Sequence, residues 1–136
     1  NGLPAEYIGV GQPVALHARV EVKAPIERLV YGYMIRDHLG QAVFGTNTHY
    51  TDQSCADLQP GDTLEFIARF PMNLGPGTYS VSVALASSET HKVKNYQWQD
   101  LALVFTVANL GLPKFVGMAW VPTVIQVSAA ARSSAA

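Results

Sequence analysis

Residues 14–22 read Val-Ala-Leu-His-Ala-Arg-Val-Glu-Val, so that an apolar side chain occupies every second position. Successive side chains of a β-strand point to opposite faces, and this period of two predicts a strand with one buried and one solvated face. The same alternation recurs in residues 29–35, 64–70, 79–85 and 101–107. Gly and Pro residues, which favour turns, separate the segments at residues 11–13, 37–40, 59–62 and 74–77. Short strands between such turns predict an all-β fold, an antiparallel β-sandwich.

The composition fits one folded domain. The chain has 136 residues, of which 49% are apolar and 14% are charged, and its formal net charge is −1. A chain this apolar can bury a core, which excludes a disordered protein. Nine basic against ten acidic residues leave no positive excess for phosphates, so we expect no nucleic-acid partner. The charged fraction lies below the typical value of about 25%, and we therefore expect a homodimer that covers part of the surface.

The single cysteine bears on the redox compartment of the protein, and the two chain ends bear on the boundaries of the domain. Cys55 cannot form an intrachain disulfide, so we expect an inert thiol and a reducing compartment. No stretch approaches the roughly 20 apolar residues of a membrane-spanning helix. The sequence begins at Asn1-Gly2 without an initiator Met or a signal peptide, which suggests part of a longer chain. Residues 1–127 are predicted to form the domain, and residues 128–136 a flexible tail.

The C-terminal segment, from Phe115 to Val127, is apolar at both alternating sets of positions. A strand of this kind is usually buried on both faces, deep in a sandwich or beneath another chain. It follows Gly111-Leu112-Pro113, which we predict to be a hinge. The sequence therefore favours, as a hypothesis, an exchange of this strand between two protomers.

Motifs for catalysis and nucleotide binding are missing from the sequence. Gly9-Val10-Gly11 begins like a dinucleotide fingerprint, but Val14 stands in place of the third glycine, and no P-loop or nucleophile elbow occurs. The four histidines lack metal-ligand spacing. The acidic residues mostly lie in predicted turns, where carboxylates usually cap backbone N–H groups. We expect no enzyme, no cofactor and no metal, and a hydrolase with two facing carboxyl groups stays a third alternative.

Polar side chains on the solvated faces could bind a sugar. The alternation places His17 and Arg19 outward on one strand, Arg69 on another, and Ser80 and Ser82 on a third. If these strands share a sheet, small residues flanked by charged ones form a shallow polar groove. Sugar hydroxyls can hydrogen-bond to such side chains. The alternative is an ordinary solvated sheet face.

Three aromatic residues in polar surroundings bear on whether the domain binds a sugar. Tyr50 follows a predicted turn, while Tyr96 and Trp98 lie in residues 87–100, which we predict to be a long polar loop. Their rings could stack on the apolar face of a sugar. In the alternative function, a structural sandwich for dimerisation or adhesion that binds no sugar, all three rings would be buried.

The most distinctive stretch is residues 31–48, Tyr-Gly-Tyr-Met-Ile-Arg-Asp-His-Leu-Gly-Gln-Ala-Val-Phe-Gly-Thr-Asn-Thr. It resembles the hallmark of the C-terminal domain of Wzt, the ATP-binding subunit of bacterial ABC exporters for O-antigen polysaccharide. Residues 58–61, 74–81 and 105–107 fit further spacings of that family, so the resemblance covers residues 1–127. The family normally has one more strand before the position of Asn1.

The resemblance implies a β-sandwich of immunoglobulin-like or jelly-roll type. It implies a non-catalytic module that recognises O-antigen polysaccharide at the cytoplasmic face of the bacterial inner membrane. It also implies an upstream nucleotide-binding domain, a membrane subunit of the transporter as a partner, and homodimers that exchange the last strand. In residues 31–48 we expect Gly32, Gly40 and Gly45 to serve backbone geometry and Tyr33 and Ile35 to face the core, so this stretch is not assigned to the sugar site.

Overall fold

The computed structural model describes residues 6–89 and 92–129, with only the backbone described at residues 88, 89 and 92–102. Eight strands follow one another in this part of the chain. None of the described residues forms a helix that could cross a membrane. The strands are β1 Tyr7–Gly9, β2 Pro13–Glu21, β3 Ile26–Arg36, β4 Ala42–Asn47, β5 Cys55–Leu58, β6 Thr63–Pro71, β7 Gly77–Glu89 and β8 Lys92–Ala108.

The strands form two sheets of unequal size. Six strands build the larger sheet in the order β1-β8-β7-β3-β4, and β5 pairs with β3 beside β4. The pairs are antiparallel except β1 with β8, which is parallel, so the prediction of a purely antiparallel sandwich is wrong at this edge. The smaller sheet consists of β2 and β6, paired antiparallel from Pro13↔Pro71 to Glu21↔Thr63.

Aromatic rings join the two sheets. Tyr31 of β3 stacks on Phe66 of β6, with 4.5 Å between ring centroids, and Tyr33 stacks on Phe70 at 5.5 Å. Around these rings lies a core of apolar side chains from both sheets, and a smaller cluster surrounds Leu29. Offset-stacked rings add to the free energy of burial. The predicted all-β sandwich is therefore confirmed.

The alternation of apolar and polar residues in the sequence matches the alternation of buried and exposed side chains in the strands. Along β6 every second residue is exposed, and along β2 the side chains of Ala15, His17 and Arg19 are exposed while Leu16 is buried. Leu29, Tyr31, Tyr33 and Ile35 are the buried apolar side chains of β3. These segments were predicted as strands with the same inward residues.

The prediction of a long polar loop at residues 87–100 is wrong. Strand β7 continues to Glu89, β8 starts at Lys92, and the two pair from Glu89↔Lys92 onward. Pairing supplies hydrogen-bond partners for the backbone of both strands. Polar residues here hide the period of two, although Val93, Tyr96 and Trp98 are types that favour strands.

The C-terminal segment does not form the strand that we predicted. Leu112, Phe115 and Trp120 pack against the main core, and a single bridge joins Leu74 to Ala119. Residues 121–129 form no strand, and Val124 and Ile125 are 95% and 81% exposed. The predicted hinge is a hydrogen-bonded turn, because Asn109 Oδ1 accepts the N–H groups of Gly111 and Leu112. Residues 130–136 of the predicted tail lie outside the described residues.

Candidate functional site

The residues predicted to bind sugar fall on opposite sides of the sandwich. His17, Arg19 and Arg69 are exposed on the outer side of the β2–β6 sheet, where the registers are Ala15↔Arg69 and Arg19↔Glu65. Ser80 and Ser82 belong to β7 in the six-stranded sheet. The two sheets face each other across the core, so these residues cannot form one groove. A period of two fixes which way a side chain points, but it does not say which strands share a sheet.

The outer face of the six-stranded sheet, called the outer face below, carries small side chains at its centre. The register along β3 sets Gly32 between Asn47 and Ala84, Met34 between Gly45 and Ser82, and Arg36 between Ala42 and Ser80. These side chains lie opposite the inward Tyr33 and Ile35 on β3. Small residues in neighbouring strands leave room on this face for the longer side chains of Met34 and Arg36.

Glycines of the distinctive stretch allow close contacts on this face. A Cβ atom at Gly45 would lie 2.7 Å from Met34 Cε, and one at Gly32 would lie 3.0 Å from Asn47 Cβ. The Met34 side chain therefore lies directly over Gly45. Gly40, with φ of 82°, has the left-handed conformation that favours glycine. Each of the three glycines thus has a steric or conformational reason in the fold.

Ser82 is buried, although the alternation of β7 places it on the outer face as predicted. It is 1% exposed. The half-buried Arg36 donates a hydrogen bond of 2.8 Å from Nη1 to Ser82 Oγ. Ser82 therefore cannot be the exposed sugar contact that the sequence suggested. Ser80, two residues earlier, is half-buried.

Two local features fix the position of Arg36. The pairing of β3 with β4 shifts between Ile35↔Phe44 and Arg36↔Ala42, which leaves Val43 as an extra residue. Such a bulge bends a strand and turns neighbouring side chains. Directly after Arg36, the buried Asp37 accepts the N–H groups of Leu39 and Gln41 at Oδ1, both at 2.9 Å. The bulge and the hydrogen bonds of Asp37 therefore fix the backbone at the end of β3, where Arg36 lies.

Tyr50 occupies an exposed turn at the edge of the six-stranded sheet. The turn follows β4 and precedes β5, and both strands pair with β3. Asn47 Oδ1 accepts the Tyr50 N–H at 2.8 Å, and Thr48 Oγ1 accepts the Tyr31 N–H at 3.0 Å. The Tyr50 side chain is 75% exposed. An exposed ring on a hydrogen-bonded backbone is what a stacking contact needs. The burial of Tyr50 that the structural alternative predicted is not observed.

Tyr96 and Trp98 lie in β8, in the six-stranded sheet. Trp98 is in register with Ala84, and Tyr96 is the extra residue where the pairing shifts between Leu85↔Gln97 and Ala86↔Asn95. Their side chains are outside the described part of the structure. The backbone therefore puts these two residues in the same sheet as Ser80, and away from His17 and Arg69.

Arg36 is the residue of the outer face that the sequence analysis missed. Arg36 lies within residues 31–48, which the sequence analysis does not assign to the sugar site. The signal was nevertheless present, because Tyr33 and Ile35 were predicted to face the core, and an alternating strand then turns Met34 and Arg36 outward.

Burial keeps three core tyrosines protonated. Burial, together with the neighbouring Tyr33, raises the pKa of Tyr31 to about 12. Burial also raises the pKa of Tyr33, and burial with the nearby Asp37 raises that of Tyr79. The Tyr79 hydroxyl donates to the Gly75 carbonyl at 2.7 Å. Within residues 6–89 and 92–129, no group of three or more His, Cys, Asp or Glu side chains is arranged to hold a metal ion.

An apolar groove of about 450 Å³ opens between β4 and the end of β6. Its walls contain few polar atoms and include Met118 and Ala119, directly before the exposed residues 121–129. An apolar groove suits an apolar chain segment better than a sugar. The lining residues are Ile35, Val43, Phe44, Phe70, Pro71, Met72, Asn73, Leu74, Met118 and Ala119.

Comparison with known proteins identifies the family of this chain. The sequence model of the Wzt C-terminal domain matches residues 1–121. The chain belongs to the Wzt C-terminal domain family. A crystal structure of the C-terminal domain of Wzt superposes with a TM-score of 0.76 at 17% identity, covering 89% of this chain and 73% of that chain. At this identity the likeness shows the fold alone. No curated protein gives a significant match.

Family membership confirms the resemblance found in residues 31–48. It gives the Wzt C-terminal domain described here the setting of an O-antigen ABC exporter, in which the domain is not itself the catalytic part.

Proposed function

We propose that this Wzt C-terminal domain binds O-antigen polysaccharide on its outer face, without catalysis, and couples recognition of the glycan to export. The observation that carries the proposal is the outer face itself: small residues at its centre and the exposed Tyr50 at its edge. In this proposal a nucleotide-binding domain lies upstream, a membrane subunit of the transporter is a partner, and the domain works at the cytoplasmic face of the inner membrane.

The chemistry of the outer face fits a sugar. A pyranose ring presents hydroxyl groups around its rim, which can pair with Ser80 or Asn47, and an apolar C–H face, which can stack on Tyr50. A shallow face gives weak binding, with Kd in the range of about 1 μM to 1 mM. Weak binding suits an exporter, because the glycan must be released. Tyr96 and Trp98 are further candidates, since their backbone lies in the same sheet.

A titration tests the proposal. Polysaccharide released from the bacterium that encodes this chain is added to the ¹⁵N-labelled domain, and amide shifts are followed by NMR. We expect shifts concentrated in β3, β4 and β7 and a loss of binding of about fivefold in Tyr50→Ala, since ring stacking on a ligand contributes about 1 kcal/mol. The matched control Arg19→Ala, on the other side of the sandwich, should bind as the wild type does. Shifts confined to β2 and β6 would reject the outer face, and no shifts at millimolar glycan would reject the function.

We also propose that two copies of the domain exchange residues 121–127. Val121, Val124, Ile125 and Val127 are each at least 66% exposed in the single chain. Such a run of exposed apolar side chains is unusual for a monomer. It begins beside the apolar groove, which is open in the single chain and suits the same segment of a second copy. The exchange fits the low charged fraction of the sequence.

The exposed segment also supports the second candidate function, a structural sandwich used for dimerisation or adhesion. The two functions differ in one measurement. A dimer that binds no polysaccharide at millimolar concentration would favour the structural role, whereas a dimer that binds it supports both proposals.

A further inference from the structure

The outer face carries a second exposed aromatic ring, at the corner opposite Tyr50. Tyr7 belongs to β1, which forms one edge of the six-stranded sheet, whereas β4 lies at the other end of the strand order. The next residue, Ile8, is buried in the main core, so the alternation of the strand turns Tyr7 to the outer face. Tyr7 is 75% exposed. Its ring is therefore accessible to a ligand that lies on this face.

Hydrogen bonds before and after Tyr7 fix the backbone that carries the ring. Thr106 N–H donates to the Glu6 carbonyl at 2.7 Å, and Val10 N–H donates to the Ala108 carbonyl at 3.0 Å. An aromatic contact on an ordered backbone loses less conformational entropy when it binds a ligand. Tyr7 thus has the same two properties as Tyr50, an exposed ring and a hydrogen-bonded backbone.

Two threonine hydroxyl groups lie on the surface beside this ring. Tyr7 is in register with Thr106 of β8, and Thr106 is in register with Thr78 of β7. The residues that follow each threonine in its strand are buried in the core, so both threonines face outward. Thr78 is exposed and Thr106 is half-buried. In the described part of the chain neither hydroxyl makes a hydrogen bond to another residue, and each can donate and accept.

A leucine side chain bounds this corner at one end. Gly9 lies on the same face as Tyr7, and a Cβ atom there would be 3.2 Å from Leu110 Cδ1. Leu110 therefore lies over Gly9 on the outer face, where it is 79% exposed. The corner combines an aromatic ring, two hydroxyl groups and an apolar side chain. This combination suits a pyranose, which presents an apolar C–H face and hydroxyl groups around its rim.

The two exposed tyrosines are far apart on the outer face. From β1 to β4 the strand order has four steps of about 4.8 Å, which amount to about 19 Å. Tyr7 is in line with Thr78, and Asn47, which accepts the N–H of Tyr50, is in line with Ala84. The six residues from Thr78 to Ala84 add about 20 Å along the strands. The diagonal is about 28 Å, more than one sugar unit can span.

We infer that Tyr7, Thr78 and Thr106 form a second glycan subsite, and that the outer face binds a stretch of several sugar units that extends from Tyr7 to Tyr50. This inference rests on the proposed function and deepens it. The Tyr7 ring stacks on the C–H face of one unit, while the two threonines pair with hydroxyl groups of that unit. The ligand is an extended polysaccharide segment, because a single terminal unit would fill only one of the two corners.

Substitutions at Tyr7 test the subsite, with the released polysaccharide as the probe. Tyr7→Ala should weaken binding by about fivefold, and the matched control Tyr7→Phe, which keeps the ring, should bind nearly as the wild type does. Because the two corners are more than 10 Å apart, the losses in Tyr7→Ala and Tyr50→Ala should multiply to about 25-fold in the double variant. Equal losses in Tyr7→Ala and Tyr7→Phe would overturn the stacking contact.

A substitution in the floor of the subsite tests its hydroxyl groups. Thr78→Val keeps the shape of the side chain and removes the hydroxyl, so binding should weaken by about threefold. Wild-type affinity in both Thr78→Val and Tyr7→Ala, with intact NMR spectra, would overturn the subsite. A loss of binding in Tyr50→Ala alone would then leave the proposed function standing. No binding by the wild type would reject both.

Fragments of the polysaccharide, separated by length, test the extended site. The affinity of the wild type should rise with fragment length until the fragment spans about 28 Å. The affinity of Tyr7→Ala should stop rising at a shorter length, because the far corner no longer contributes. Full affinity for a fragment of one or two sugar units would overturn the extended site. The same dependence on length in both proteins would overturn it as well.

Discussion

Replacing Gly75 by Ala should break the contact that closes the sandwich beside the apolar groove. Residues 73–75 and 117–120 form a short antiparallel clasp, in which Gly75 N–H donates to the Met118 carbonyl at 2.8 Å and Trp120 N–H donates to the Asn73 carbonyl at 2.9 Å. A Cβ atom on Gly75 would overlap the carbonyl oxygen of Gly117. Both partners are backbone, so no side-chain rotation can relieve the overlap.

The magnitude follows from what the clasp holds. Loss of its two hydrogen bonds costs about 2 kcal/mol. The clasp also keeps the half-buried Trp120 ring against the core, where it contacts Phe115 at a centroid distance of 4.9 Å. Partial exposure of this ring adds about 1–2 kcal/mol. We therefore expect Gly75→Ala to lower the free energy of unfolding by about 3 kcal/mol.

Urea unfolding monitored by circular dichroism measures this loss. Gly111→Ala is the matched control, because a Cβ atom there would meet nothing within 4 Å. It should change the free energy of unfolding by less than about 0.5 kcal/mol. A cost below about 1 kcal/mol for Gly75→Ala, or equal costs for both variants, would refute the clasp as a stabilising contact.

Three further predictions concern the core and the C-terminal segment. Tyr31→Phe should raise the free energy of unfolding by up to about 1 kcal/mol in urea titrations, because the buried Tyr31 hydroxyl has no hydrogen-bond partner in the described structure. If the substitution instead lowers the free energy of unfolding by more than about 1 kcal/mol, the hydroxyl has a partner and the prediction is wrong. Tyr31 ionises near pH 10 in the unfolded chain and near 12 in the folded one, so the unfolded state loses its proton first. Stability should fall by about 2–3 kcal/mol as the pH rises from 10 to 12, with a smaller fall in Tyr31→Phe; equal falls in both proteins would contradict this. Ile125→Asp should give monomers in light-scattering measurements where the wild type and the control Ser128→Asp give dimers, and a dimeric Ile125→Asp would reject the exchange.

The sequence predicted those parts of the fold in which one side chain in two is buried. In β2 and β6 the inward residues are all apolar, so the period of two is plain. The first half of β8 escaped because Lys94, Asn95, Gln97 and Gln99 dilute the pattern, and its pairing with β7 is a property of two segments together. The parallel pairing of Tyr7 with Thr106 joins residues far apart in the chain, and no local pattern encodes it.

The candidate site was predicted in part, for a related reason. The outward direction of Arg19, Arg69 and Ser82 was foreseen, but the assembly of their strands into two sheets was not. The hydrogen bond from Arg36 of β3 to the buried Ser82 of β7 joins two strands that are far apart in the sequence. Alternation describes direction and says nothing of what lies above a residue. A site therefore needs the sheet order as well as the pattern.

The C-terminal segment shows how one apolar pattern can serve two surfaces. Apolar residues on both faces predicted burial from Phe115 to Val127, but up to Trp120 only Phe115 and Trp120 are half-buried against the core, and Val116 is 90% exposed. From Val121 onward the side chains are exposed in the single chain. Burial of the same residues therefore requires a surface that the single chain does not supply. The clasp at Gly75 marks the change, because among the backbone hydrogen bonds of residues 6–89 and 92–129 the one from Trp120 N–H to the Asn73 carbonyl is the last along this segment that joins it to the rest of its domain. On this reasoning the element that we propose to be exchanged starts at Val121, beyond the clasp, whereas the sequence alone suggested a start at the turn of residues 111–113.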